Sequence, residues 1–100
     1  MILKEILERH SVRKYKQEEV PEELIKEVIE AARLAPSANN KQPWKFIAVR
    51  DFEKRKKIGE PTTWAKFIMD APVLIVGCIT DKSFNMGGWY DSAILDIGIA

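Results

Sequence analysis

The sequence predicts one domain that mixes helices with a small sheet. Three observations carry this. Leu24, Ile25, Val28, Ile29, Ala32 and Ala35 form an apolar stripe at helical spacing. Trp44 to Val49 and Val73 to Ile79 are short apolar runs of strand length. Polar or Gly/Pro-containing segments separate them.

At the N-terminus, Ile2, Leu3, Ile6 and Leu7 alternate with Lys4, Glu5 and Glu8, the pattern of a short amphipathic helix. Arg9 to Tyr15 breaks the pattern, and Lys16 to Glu19 reads as a loop. Pro21, Glu22 and Glu23 suit the first turn of a second helix, where glutamates meet the positive end of the dipole. Pro36 ends it, because the residue before a proline avoids helical angles.

Ser37 to Lys41 is then a polar loop, and Trp44 to Val49 a buried strand. Asp51 can cap a short charged helix to Ile58. Gly59 and Pro61 mark a turn, and Thr62 or Thr63 can cap another short helix through Met69. Pro72 opens the stronger strand, Val73–Ile79, apolar on both faces and expected inside a sheet covered on both sides. Asp81 to Gly88 reads as a flexible loop. A helix from Trp89 to Ala100 places Ala93, Ile94, Ile97 and Ala100 on one side. Two strands do not make a stable sheet alone. The apolar end at Ile97–Ala100 implies further chain or a partner covering it.

Composition narrows the function. The 100 residues carry 16 Lys+Arg and 15 Asp+Glu, a net charge of +1, which argues against a general nucleic-acid binder. With 46% hydrophobic and 31% charged residues, the chain can build a core and a solvated face. Early charges exclude a signal peptide, and the Ala71–Thr80 run is too short to span a membrane. A soluble cytoplasmic protein with no membrane contact is expected. Cys78, the only cysteine, cannot form an internal disulfide and reads as a core residue.

Two segments can carry chemistry. In Arg9-His10-Ser11-Val12-Arg13, two arginines flank a serine. In an extended segment alternate residues point the same way, so both guanidiniums can converge on one anion. An ordinary solvated basic loop fits the same spacing. In Ala35 to Trp44, Asn40 and Gln42 each offer an amide that donates and accepts, able to read a ring edge such as a flavin's. Turn capping by Asn and Ser fits equally well.

Weaker features support little. His10, the only histidine, has no identifiable nucleophile partner, and no cluster has metal-ligand spacing. Lys54 to Lys57 is a basic run that reads as a solvated face, an RNA patch being the lesser alternative. Gly87-Gly88-Trp89 lacks phosphate-loop spacing, and Asp91 and Asp96, five apart, do not pair as catalytic carboxylates.

Taken together, the motifs resemble the FMN-dependent nitroreductase family. Arg9–Arg13 after a short helix is similar to its opening motif, and Ala35–Val49 to its second signature. Ala71–Val76 resembles a family strand, and Asp96–Ala100 the start of the long central helix. The likeness covers nearly the whole chain, with Lys82–Tyr90 outside it.

The resemblance implies an α+β fold with a mainly antiparallel sheet flanked by helices, residues 1–100 being the N-terminal part of one such domain. It implies an obligate homodimer with two FMN sites at the subunit interface. Arg9 and Arg13 would bind the FMN phosphate and ribityl region, with His10 and Ser11 beside them. Asn40 would face the ring system, with Gln42 near the cofactor and Pro36, Ser37 and Ala38 close to an isoalloxazine ring. The implied activity is NAD(P)H oxidation through flavin with a nitroaromatic, quinone or related small-molecule acceptor. No side-chain nucleophile is required. The alternative is a non-catalytic flavin-binding or interaction module.

Overall fold

The computed structural model describes residues 1–80, 85–86 and 90–100. Its central feature is an antiparallel pair, β1 (Trp44–Val49) and β2 (Leu74–Ile79), in register from Trp44 opposite Ile79 to Val49 opposite Leu74. The Thr80 amide extends the pair by donating to the Pro43 carbonyl at 3.1 Å. The helices are α1 (Lys4–Glu8), α2 (Glu22–Arg33), α3 (Phe52–Gly59) and α4 (Ser92–Ile99). A second antiparallel pair joins β3 (Asn85–Met86) to β4 (Tyr90–Asp91). This is the α+β arrangement expected, with part of the full antiparallel sheet present.

The helix ends follow local chemistry. Pro21 precedes α2 as its N-cap, and its carbonyl accepts from the Leu24 and Ile25 amides. Glu22 and Glu23 lie in the first turn and Arg33 in the last, each suited to the dipole. The helix stops at Arg33, slightly before the expected break at Pro36. Asp51 caps α3 as predicted, its Oδ2 accepting from the Lys54 amide at 3.0 Å. Thr62 does not cap the following 3₁₀ segment, Lys66–Asp70, which Ala65 precedes. Its hydroxyl instead donates to the Gly59 carbonyl at 2.6 Å, closing the end of α3.

Three further expectations are corrected. The apolar strand β2 is not covered on both faces among the described residues. Its burial alternates, and Ile75 and Ile79, which share the face that α4 approaches at Gly77, are exposed. The region expected as one loop carries β3, while 81–84 and 87–89, including the double glycine and Trp89, lie outside the described residues. Helix α4 starts at Ser92; of its expected face Ala93 is buried and Ile97 and Ala100 are half-buried, while Ile94 is 60% exposed and Ser92 and Asp96 are buried instead.

Gly77 lets α4 approach β2 closely. A Cβ there would stand 3.1 Å from Ile97 Cδ1. Among the described residues, the buried apolar side chains are Ile25, Pro43, Trp44, Ala71 and Ala93. By contrast, Ile2, Leu3, Ile6 and Leu7 around α1 are all exposed. Among the described residues, no helix is long and apolar enough to cross a membrane.

Candidate functional site

The basic segment leaves α1 in extended geometry. Arg9 follows the helix with φ −63° and ψ 132°. Arg9, Ser11 and Arg13 are all exposed. His10 turns back, its Nδ1 3.2 Å from the Glu8 carbonyl. Arg13 lies over the Phe67 ring, with Cζ 5.1 Å from the centroid. Tyr15 stacks on the same ring at 6.4 Å and donates to the Val12 carbonyl at 3.1 Å. The Gln17 side-chain amide donates to the Asp70 carbonyl at 3.0 Å. The segment is thus moored to the 3₁₀ turn before β2. Phe67 is a contributor that sequence reasoning missed.

The second segment has an unusual backbone. Asn39, Asn40 and Gln42 all have positive φ, at 54°, 54° and 52°. Left-handed angles cost L-residues energy, least for Asn, which explains the Asn pair but not Gln42. Hydrogen bonds hold the turn. The Asn40 amide donates to the Ser37 carbonyl at 2.9 Å, the Gln42 amide to Ser37 Oγ at 3.0 Å, and the Trp44 amide to the Gln42 carbonyl at 2.8 Å. The buried Pro43 and Trp44 then fix the exit into β1. Asn40 and Gln42 are exposed, and Gln42 borders a cleft of about 300 Å³ with Ile29, Arg33, Trp44 and Phe46.

The loop is also tied to α4, since the Ala38 amide donates to Asp96 Oδ1 at 3.1 Å. Asp96 is 4% exposed. Sequence reasoning weighed Asp96 as half of a carboxylate pair and as the start of the Asp96–Ala100 likeness, and missed this contact. A single acid among Ile94, Leu95, Ile97 and Ile99 was the signal.

Among the described residues, no hydrogen bond or ion pair joins Arg9, His10, Ser11 or Arg13 to Asn40 or Gln42. Each segment is organised separately, one against Phe67 and one against α4. The basic run on α3 is not uniformly solvated. Arg55 donates to the carbonyls of Arg50 at 3.1 Å, Met69 at 3.0 Å and Ala71, so it serves structure. Lys54, Lys56 and Lys57 are exposed, as expected. Cys78 is half-buried on β2.

The chain is similar to a Methanothermobacter thermautotrophicus protein named as a candidate NADH dehydrogenase/NAD(P)H nitroreductase. They share 40% identity over 89 residues, covering 89% of this chain and 47% of that one. It is also similar to an FMN reductase [NAD(P)H] of Bacillus subtilis, 36% identical over 77 residues, covering 77% of this chain and 31% of that one. The solved structure of an FMN-dependent nitroreductase from Clostridium difficile R20291 superposes with a TM-score of 0.77 at 37% identity. That match covers 92% of this chain and 51% of that one. The chain thus spans about half or less of the length of these relatives. The nitroreductase family model matches residues 6–66, which contain both the basic segment and the left-handed loop. With more than half of its residues matched, and with helices flanking an antiparallel strand pair, the chain belongs to the nitroreductase family.

Proposed function

We infer that this chain supplies phosphate- and ring-binding segments to an FMN-dependent NAD(P)H oxidoreductase that acts as a homodimer. The observation that carries the reading is the content of residues 6–66. One family match contains both an exposed arginine pair and a constrained loop of amide side chains.

The donor set fits FMN. Arg9 and Arg13 present forked cations suited to phosphate oxygens, and Ser11 adds a hydroxyl between them. His10 is the neighbouring contact. Phe67 restrains the Arg13 guanidinium, which lowers the entropy lost when a phosphate is bound. Asn40 and Gln42 offer amide groups to the polar edge of a flavin ring. Donors at that edge stabilise negative charge as it develops. The bound flavin would supply hydride chemistry between NAD(P)H and a nitroaromatic, quinone or related acceptor. No side chain of this chain needs to act as nucleophile.

The decisive experiment is a visible spectrum of the full natural protein with added FMN. Flavin absorbance that co-purifies or saturates on titration supports the reading, and a protein that takes up none overturns it. A non-catalytic flavin-binding module is the second reading. NADH oxidation with menadione separates the two, because the module gives no turnover with flavin bound.

A further inference from the structure

Helix α4 buries two polar side chains in an otherwise apolar sequence. Ser92 is fully buried and Asp96 nearly so, one helical turn apart on the same face. A buried carboxylate is costly unless hydrogen bonds satisfy it. Among the described residues, the Ala38 amide meets Asp96 Oδ1, while Asp96 Oδ2 and Ser92 Oγ have no partner. An apolar residue at position 96 would pack there without that cost. The acid is therefore explained by what it holds.

What it holds is the Ser37–Gln42 turn. Three non-glycine residues in four positions sit at positive φ, so the turn is strained and relaxes unless restrained. The hydrogen bonds of Ser37 restrain it from within. The Asp96 bond joins it to an element 58 positions away in sequence.

We propose that Asp96 is a positioning residue, whose bond to the Ala38 amide fixes the left-handed turn so that Asn40 and Gln42 stand ready for the flavin ring. It acts on the cofactor only through the loop. The proposal rests on the FMN reading, and its test separates the two.

Asp96→Ala removes the acceptor, whereas Asp96→Asn keeps an oxygen that can accept from Ala38. In the full natural protein, FMN affinity is measured by quenching of flavin fluorescence. Exchange of the Ala38 amide is followed by NMR, and folding by circular dichroism. Asp96→Ala should weaken FMN binding and speed Ala38 exchange, each by about tenfold, the scale of one hydrogen bond. Asp96→Asn should restore both to within about threefold. A folded Asp96→Ala protein with unchanged affinity and exchange overturns the proposal. If Asp96→Ala does not fold, Asp96→Asn decides: near-native affinity and exchange support positioning by the hydrogen bond, and a tenfold loss overturns it. If the wild-type protein binds no FMN, the flavin reading fails. Ala38 exchange in the same variants then still decides whether Asp96 holds the loop.

Discussion

The Arg13 guanidinium rests on the Phe67 ring, 5.1 Å from its centroid, while Tyr15 stacks on the same ring. A cation on an aromatic face contributes about 0.5–1 kcal/mol at an exposed site. The contact also restricts a long side chain that would otherwise sample many rotamers. Phe67→Leu should keep most of the apolar packing and lose this restraint. FMN affinity should fall about two- to fivefold, the range that energy allows. Equilibrium titration on the folded variant checks this, and a melting curve confirms the fold.

Arg13→Ala removes the cation itself. Binding of FMN should weaken by about 1–3 kcal/mol, the scale of a charge-assisted hydrogen bond. Affinity for riboflavin, which lacks the phosphate, should change much less. Calorimetric titration with both ligands tests the phosphate role, and equal losses for the two would refute it.

Arg55 should behave unlike its basic neighbours. Its guanidinium satisfies the carbonyls of Arg50, Met69 and Ala71 and lies 5.5 Å from the Phe52 ring centroid. Arg55→Met leaves those acceptors unpaired where water is partly excluded, at a cost of about 2–4 kcal/mol. Lys54→Ala, Lys56→Ala and Lys57→Ala should each stay within about 0.5 kcal/mol. Urea unfolding compares the four variants.

The Asp51 cap offers a cleaner stability test. Asp51→Ala deprives the Lys54 amide of its acceptor and should cost about 1 kcal/mol, as helix N-caps generally do. Asp51→Ser should recover most of that loss. Urea midpoints measure both.

Acid should weaken one surface contact on α2. The Arg33 guanidinium donates twice to Glu30, at 2.8 and 2.6 Å, which holds the Glu30 carboxyl below its ordinary range. A pKa lowered in the folded state gives stability that is present above the unfolded value and lost as pH falls through the folded one. The pair is exposed, so the effect is small and screened by salt. In Glu30→Gln, stability should fall less steeply on acidification than in the wild type, as read from urea midpoints across the acidic range.

Local patterns were readable where one rule dominates. The stripe from Leu24 to Ala35 gave α2, Asp51 gave a cap, and apolar runs gave the two strands. Rules that need a partner surface read less well. Val73–Ile79 has the composition of a doubly covered strand, yet Ile75 and Ile79 are exposed beside a single paired neighbour. On α4 the apolar positions Ala93, Ile97 and Ala100 turn inward as the pattern indicates, whereas the burial of Asp96 beside them follows from a long-range hydrogen bond that the pattern does not announce. The donor residues were visible as motifs. Their supports, Phe67 and Asp96, were not, since each works through contacts between segments far apart in sequence. The left-handed angle at Gln42 was equally hidden, because glutamine carries no turn preference of its own.

The short helix α1 carries a consequence for linkage. Five residues cannot sustain a helix in water without help, and every apolar side chain around this one faces outward. Arg9 is the next residue in the chain. Any surface that covers Ile2, Leu3, Ile6 and Leu7 therefore also fixes the point from which the arginine pair departs. On the proposed phosphate role of Arg9 and Arg13, association at α1 and anion capture would draw on one ordering entropy. Each event would lower the cost of the other, which predicts positive cooperativity between them.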